Sequence, residues 1–221
     1  MHGSARSAVA AVTMAVVLTT SVVATSGVAS ARAQSSVVGP VVTSVSEVVT
    51  APPSSPRHRR LPARYTGRIF AIGDSVMLGA RTCLPVHGIV ADPKGNRQAY
   101  QGAAILSAMR TRLPHVVIVH LGTNAGIDDA DIDTIMRILG PDRRVIWVTL
   151  QLRNDYNRYR YEDSSNQALR EVVLRYPNVR VADWNTWTET HRGLVGGDGI
   201  HLTHAGCIAY ANLVDSVARA A

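Results

Sequence analysis

Short apolar runs separated by helix-length segments fill the chain from residue 68 to its end. The runs are rich in β-branched residues and do not alternate with polar ones, which is typical of parallel strands buried on both faces. We predict strands at 69–72, 88–91, 116–121, 145–150 and 179–182, and helices at about 76–83, 103–112, 129–138, 163–175 and 205–219. Because strand and helix alternate, the prediction is an α/β fold in three α/β/α layers, a doubly wound sheet of about five parallel strands. In such sheets, ligands bind beyond the carboxyl ends of the strands.

The first third of the chain has a different pattern. A single basic residue, Arg6, precedes an uncharged stretch of small and apolar residues that lasts until Arg32, and 29–31 and 31–33 both resemble cleavage sites. We therefore predict a secretory signal peptide over 1–33, with an uncleaved membrane anchor as the alternative. Residues 34–64 are rich in Ser, Val, Thr and Pro, which predicts a disordered linker with a basic end. The folded domain is then expected over 65–221.

The composition fits one globular domain with a tail, because 46% of the 221 residues are hydrophobic and 18% are charged. The net charge of +7 at first suggests a nucleic-acid or membrane partner. However, six arginines and one glutamate give residues 1–64 a charge of +5, whereas the rest, with 17 basic and 15 acidic residues, carries +2. Aromatic residues make up 5% of the chain and are absent from the tail, so we expect no nucleic-acid partner. The basic cluster at 57–60 is expected to be solvated, and the alternative is a weak contact with an anionic cell envelope.

Three polar segments follow predicted strands at the edge where ligands bind. Ser75 follows the first strand and opens a helix, which suits a nucleophile or an ordinary N-cap. Asn124 follows the third strand, where it can offer an amide donor or act as a turn residue. Asp198 and His201 precede the last helix, and the carboxylate can orient the imidazole as a general base. The alternatives for this last segment are a metal site that includes His204, or a plain core histidine. Together the three segments supply the roles that acyl transfer requires.

These segments resemble the motifs of a known enzyme family, the SGNH (GDSL-type) hydrolases. The family's first, third and fifth blocks are matched, in the same order, by Gly73-Asp74-Ser75, Gly122-Thr123-Asn124 and Asp198-Gly199-Ile200-His201. The resemblance covers about residues 66–218 and implies a flavodoxin-like winding, the SGNH hydrolase fold. It also implies that Ser75 is the acyl nucleophile, His201 the general base and acid, and Asp198 the residue that orients His201. Asn124 and the backbone N–H of Ser75 are the implied oxyanion donors.

The second block is where the sequence departs from the family, which has a glycine donor there. We expect the Asn96 neighbourhood to supply this donor, with Gly102 as the alternative. Arg97 comes next and is expected to bind substrate, and a surface salt bridge is the alternative. No metal or other cofactor is expected.

Segments 74–79, 96–98, 181–185 and 199–203 look like the extracellular SGNH domains attached to peptidoglycan O-acetyltransferases. In those proteins a fused multi-span membrane domain delivers the acyl group, and no such spans are predicted here. The resemblance therefore implies a bacterial serine esterase, secreted or associated with the cell envelope, that acts on small acyl esters such as an O-acetylated glycan. One alternative is an O-acetyltransferase that takes acyl groups from a separate membrane donor protein. A second is a non-catalytic envelope-binding module.

Cys83 and Cys207 are the two cysteines of the chain. In a flavodoxin-like winding the first and last helices pack on the same face of the sheet, so the two residues can meet. We predict a disulfide between them, as suits an exported protein, and two buried free thiols are the alternative.

Three further side chains have predicted positions. His120 lies inside the third predicted strand and is expected to be a satisfied core residue. Trp184 and Trp187 follow the last strand, where they are expected to form a sugar-stacking wall or, for at least one of them, to pack in the core.

Overall fold

A computed structural model describes residues 64–152 and 158–220, so the predicted signal peptide and most of the predicted linker lie outside the described residues. The described part contains a sheet of five parallel strands in the order β2-β1-β3-β4-β5. The strands are β1 Ile69–Gly73, β2 Ile89–Pro93, β3 Val116–His120, β4 Arg144–Val148 and β5 Val179–Ala182. The predicted fold class is confirmed.

Helices connect the strands along the chain. They are α1 Ser75–Gly79, α2 Ala99–Met109, α3 Asp129–Leu139, α4 Glu162–Arg175, α5 Trp184–Thr190 and α6 His204–Arg219, with a 3₁₀ helix at Leu84–His87. Within residues 64–152 and 158–220, none of the helices combines the length and the apolar character that a membrane crossing requires.

Three helices differ from the prediction. Helix α1 stops at Gly79, and a separate 3₁₀ helix with Pro85 in its first turn follows. Helix α2 begins four residues before the predicted start, because Gln98 and Gln101 form a capping box there. Helix α5 was not predicted, and it begins where the Asp183 side chain accepts the backbone N–H of Thr186.

The core consists of two apolar layers, one on each face of the sheet. Phe70 and Ile72 of β1 point into the layer formed with α2, α3 and α4, whereas Ile69 and Ala71 point into the layer formed with α6. Successive side chains of a strand point to opposite faces, so a run that is buried on both faces is apolar at nearly every position. This requirement explains why β1, β3 and β4 could be predicted from continuous apolar runs, although β3 ends in the buried His120 and β4 begins with the buried Arg144.

The predicted disulfide between Cys83 and Cys207 is present in the structure, with 5.9 Å between the two Cα atoms. It joins the turn after α1 to the first turn of α6. Both helices belong to the same layer, because Met77 of α1 and Tyr210 of α6 lie in one apolar cluster. The bond therefore links the segment that carries Ser75 to the helix that follows His201.

Candidate active site

The turn between β1 and α1 places Ser75 at the first position of a helix. Gly73 is needed before it, because a Cβ there would lie 2.5 Å from the Cβ of Met77. Asp74 is fully buried, and its Oδ1 accepts the backbone N–H of Val76 at 3.0 Å as the N-cap of α1. Ser75 itself is half-buried, with its hydroxyl at the carboxyl edge of the sheet.

A hydrogen-bond chain connects Ser75 to the loop before α6. Nε2 of His201 lies 3.0 Å from the Ser75 Oγ, and Nδ1 of His201 lies 2.6 Å from Oδ2 of Asp198. The other carboxylate oxygen of Asp198 accepts the backbone N–H groups of Ile200 and His201, each at 3.0 Å. The hydrogen bond from His201, together with the amide of Ile200, lowers the pKa of Asp198 to about 2. The carboxylate is therefore ionised at neutral pH and favours the tautomer in which Nδ1 carries the proton, so that Nε2 is free to accept one.

Backbone contacts fix the loop that carries Asp198 and His201. Gly196 donates its N–H to the carbonyl of His201 at 2.8 Å, and Thr203 donates its N–H to the carbonyl of Leu194 at 3.0 Å. Gln151 follows β4, and its side-chain Nε2 donates a hydrogen bond to the carbonyl of Gly199 at 3.4 Å. Among residues 64–152 and 158–220, no group of three or more His, Cys, Asp and Glu side chains is placed to hold a metal ion.

The turn after β3 brings Asn124 to the same edge. The backbone N–H of Thr123 donates to Oδ2 of Asp74 at 3.2 Å, so this turn is tied to the turn that carries Ser75. Nδ2 of Asn124 donates to the backbone carbonyl of Arg97 at 3.3 Å, which joins the segment after β2 to the site. The structure thus brings together the segments after β1, β2 and β3.

No protein-family model matches the chain, but curated proteins and solved structures are similar to it. A Staphylococcus aureus (strain MSSA476) protein, named for an inferred O-acetyltransferase activity, is 28% identical over 156 residues. That match covers 67% of this chain but 24% of the relative, so the chain spans about a quarter of the relative's length. The C-terminal catalytic domain of Streptococcus pneumoniae peptidoglycan O-acetyltransferase A superposes with a TM-score of 0.62 at 24% identity, covering 67% of this chain and 90% of that domain. The chain has the SGNH hydrolase fold.

A second solved structure extends the comparison beyond O-acetyltransferases. A member of the lipolytic G-D-S-L family from Veillonella parvula has a TM-score of 0.53 at 13% identity, covering 66% of this chain and 96% of that one. The predicted resemblance to SGNH hydrolases, and to the SGNH domains of O-acetyltransferases in particular, is confirmed. The similarity supports an enzyme of the SGNH type.

The segment after β2, which corresponds to the family's second block, is where the structure departs most from the sequence-based expectations. Arg97 was expected to bind substrate, but only 3% of it is exposed. Its guanidinium donates to the carbonyl of Gly73 at 3.0 Å, to the carbonyl of Asp92, and to Oδ1 of Asp92 at 2.8 Å. Because these bonds tie the ends of β1 and β2 together and exclude the guanidinium from solvent, Arg97 is a structural residue, and a direct contact with substrate does not fit its burial.

The two candidate oxyanion donors of this block lie in different surroundings. Asn96 is exposed and has a positive φ of 59°, in a turn where Lys94 donates its N–H to the carbonyl of Gly73 at 3.1 Å. Gly102 lies inside α2, where its N–H already donates to the carbonyl of Gln98. A Cβ at Gly102 would lie 2.4 Å from a methyl carbon of Leu121, so this glycine serves close packing. The oxyanion role of Asn96 stays a prediction.

The other singled-out side chains are mostly structural. His120 is fully buried, as expected of a core residue, and burial lowers its pKa. Its Nδ1 shares a hydrogen bond of 2.8 Å with the Tyr210 hydroxyl, but its buried Nε2 has no hydrogen-bond partner among the described residues, so the ring is satisfied at one nitrogen only. Trp184 is fully buried in the core. Trp187 is 39% exposed and stacks on His191, with 4.3 Å between the ring centroids. Of the two tryptophans, therefore, only Trp187 presents an aromatic ring to solvent.

Proposed function

We propose that this chain is a serine esterase that hydrolyses small acyl esters, chiefly O-acetyl esters, through an acyl-enzyme on Ser75. The observation that carries the proposal is the unbroken hydrogen-bond chain from Asp198 through His201 to the Ser75 hydroxyl, with distances of 2.6 and 3.0 Å. A serine hydroxyl is a weak nucleophile until a base takes its proton, and this chain provides the base and the carboxylate that orients it.

The proposed reaction has two halves. Oγ of Ser75 attacks the ester carbonyl carbon while Nε2 of His201 takes the hydroxyl proton. The tetrahedral intermediate then collapses, the carbon–oxygen bond to the alcohol breaks, and His201 returns the proton to the leaving oxygen. In the second half, the O–H of an acceptor attacks the acetyl-serine, its proton passes to His201, and the proton returns to Ser75 as the new ester or acid leaves.

Three groups are proposed to favour the charged intermediate. The ionised Asp198 stabilises the imidazolium that forms on His201 in each half of the reaction, because its pKa of about 2 keeps it charged at neutral pH. Nδ2 of Asn124 and the N–H of Ser75 are the proposed oxyanion donors, and one such donor contributes a factor of about 10²–10³ in rate.

The proposed substrate is an O-acetylated carbohydrate of the cell envelope. The names of the similar proteins support this class, because they are O-acetyltransferases and one acts on peptidoglycan. The exposure of the site also supports a polymer, since the side chains of Asp198 and His201 are 49% and 52% exposed. We further propose that the protein is secreted or held at the envelope, where the basic linker contacts anionic polymer.

O-acetyl transfer is the second candidate function, and the names of the relatives favour it. In that case a glycan hydroxyl replaces water as the acceptor, and a separate membrane protein supplies the acyl group. The chemistry at Ser75 is the same in both functions, and the acceptor alone differs.

The first experiment compares the full chain with Ser75→Ala in hydrolysis of p-nitrophenyl acetate. We expect the variant to fall to the uncatalysed background, and mass spectrometry of the quenched wild type to locate an acetyl group on Ser75. Ser107→Ala is the control, because Ser107 is an exposed serine of α2. Equal hydrolysis by the wild type and Ser75→Ala would overturn the proposal, and absence of any acylation would favour the non-catalytic envelope-binding module.

The second experiment separates the two acceptors. The wild type is incubated with an acetyl donor and a de-O-acetylated peptidoglycan fragment, and both products are measured. Hydrolysis releases acetate and leaves the glycan mass unchanged, whereas transfer adds the mass of an acetyl group to the glycan. We expect acetate to dominate, and an acetylated glycan as the main product would establish transfer instead.

A further inference from the structure

Both backbone polar groups of Thr123, the residue before Asn124, are held by side chains. The backbone N–H of Thr123 donates to Oδ2 of Asp74 at 3.2 Å, and the hydroxyl of Tyr161 donates to the backbone carbonyl of Thr123 at 2.8 Å. The other oxygen of Asp74 accepts the N–H of Val76, the residue after Ser75. One buried carboxylate and one phenol therefore fix the turn that carries Asn124 relative to the turn that carries Ser75.

Tyr161 is well placed to act as a fixed support. It directly precedes α4, and its half-buried side chain lies against Gly126, where a Cβ would be 3.1 Å from the Cβ of Tyr161. Gly126 has a positive φ of 82° and its N–H donates to the carbonyl of Gly122 at 2.8 Å, so this turn is tight. Burial raises the pKa of the Tyr161 hydroxyl, so the phenol keeps its proton at neutral pH and remains a donor.

The far end of the same turn is fixed by the same helix. Oγ of Ser165, in the first turn of α4, accepts the N–H of Ile127 at 3.0 Å. The side chain of Asn124, in contrast, has a long contact of 3.3 Å with the carbonyl of Arg97. The direction of the Asn124 amide is therefore set mainly by the backbone on either side of it, which α4 and Asp74 hold.

We propose that Tyr161 is a positioning residue for the oxyanion donor: its hydroxyl holds the Thr123 carbonyl and thereby aims the amide of Asn124 at the reacting carbonyl. Tyr161 does not itself touch the substrate. The role rests on the proposed function, because it requires that Asn124 stabilises an oxyanion. A preorganised donor loses its effect steeply when it is displaced, and a shift of about 1 Å can cost about 10²-fold in rate.

The test is Tyr161→Phe in the full chain, because this change removes the hydroxyl and keeps the ring. We expect kcat for p-nitrophenyl acetate to fall about 10-fold with KM unchanged, because the donor acts on the transition state and not on the bound ester. Tyr159→Phe is the matched control, because Tyr159 packs edge-to-face on Tyr161 with 6.2 Å between ring centroids. We expect this control to leave kcat within about twofold of the wild type.

A double-mutant cycle with Asn124→Ala distinguishes positioning from a general loss of stability. If Tyr161 acts through Asn124, then Tyr161→Phe has no further effect on kcat in the Asn124→Ala background. Additive losses in the cycle, or an unchanged kcat with a lower Tm in the single variant, would overturn the role. A wild type that does not hydrolyse the ester overturns the proposed function and this role with it, whereas an active wild type that Tyr161→Phe matches in kcat overturns the role of Tyr161 alone.

Discussion

The disulfide between Cys83 and Cys207 offers the largest single change in stability that the structure predicts. The two cysteines are separated by 124 positions, so the bond closes most of the folded domain into one loop. In the chain-entropy treatment, a cross-link of this length removes loop-closure entropy from the unfolded chain worth about 5 kcal/mol at 25 °C. For a domain of this size, a loss of that magnitude lowers Tm by about 10–20 °C.

The assay is urea unfolding of the wild type with and without a reductant, followed by fluorescence of the buried tryptophans. Reduction affects no other bond, because the chain has two cysteines in all. We expect a lower urea midpoint after reduction and a steeper slope, because the unfolded chain without the cross-link exposes more surface. Cys83→Ala/Cys207→Ala should match the reduced wild type to within about 1–2 kcal/mol, the added loss coming from the space left at the buried Cys207.

Equal urea midpoints for the oxidised and reduced proteins would show that the cross-link does not restrict the unfolded state, which would refute the entropic origin of the stabilisation. Activity at a temperature well below both transitions provides the second measurement. We expect it to be unchanged by reduction, because the triad geometry is maintained by the backbone contacts around Asp198 and His201.

Four further predictions follow from single side chains. Asn124→Ala should lower kcat about 10²–10³-fold with little change in KM, and a loss under about 10-fold would argue against the oxyanion role. Arg97→Met should lower the free energy of urea unfolding by about 2–3 kcal/mol, because it leaves the carbonyls of Gly73 and Asp92 without this donor. A raised KM at unchanged stability would contradict the structural role of Arg97. Gly206→Ala should lower the free energy of unfolding by more than about 3 kcal/mol, because the new Cβ would lie 1.8 Å from the Leu194 carbonyl oxygen. Gly197→Ala is the control and should leave the free energy of unfolding unchanged, because its Cβ would have nothing within 4 Å. Equal effects of the two substitutions would refute the clash at Gly206. Because the pKa of Asp198 is lowered from 3.8 to about 2, its contribution to stability is complete above pH 3.8 and is lost as the pH falls through about 2. The difference in urea midpoint between wild type and Asp198→Asn should therefore shrink over that range, and a constant difference would contradict the ionised role.

The strands and the approach of Asn124 to Ser75 could be predicted because their causes are local. A strand that is buried on both faces is apolar at most positions, so the runs 116–119 of β3 and 145–148 of β4 stand out in the sequence. Ser75 and Asn124 lie in short segments directly after β1 and β3, and the carboxyl ends of parallel strands meet at one edge, so these two residues could be expected to converge. His201 lies in the loop between α5 and α6, so its approach to Ser75 was predicted from the motif and not from a strand end.

The surroundings of Arg97 and Tyr161 could not be predicted in the same way. Arg97 looks like a surface residue in sequence, and its burial depends on how the turn after β2 folds against Gly73, which is 24 residues away. Tyr161 is 38 residues from Thr123, and the contact forms only when α4 packs beside the turn after β3. Neither contact has a periodic or motif signal, because each is a product of packing between distant segments.

Helix α5 is a different kind of omission. It has seven residues, and its β-branched and aromatic side chains have low helix propensity, so the apolar pattern is too short to stand out. A local signal was present, since Asp183 and Thr186 have the spacing of an N-cap with its acceptor and donor. With this N-cap, Trp184 is the first residue of a helix and is buried in the core, so the sugar-stacking hypothesis applies to Trp187 alone.

The half-exposed position of Asp198 and His201 has a consequence for the fate of the acyl group. An acetyl-serine at such a surface can be reached by a long polymer without threading, but bulk water reaches it by the same route. In the proposed mechanism His201 activates either acceptor, so the proposed triad does not choose between them. Holding an acceptor hydroxyl in line can raise its effective concentration to about 10⁵ M or more, which is enough to outcompete the solvent. Under the proposed function, the choice between removing acetyl groups and installing them therefore depends on how long a sugar hydroxyl stays aligned at the rim of the site, and the same catalytic residues serve both reactions.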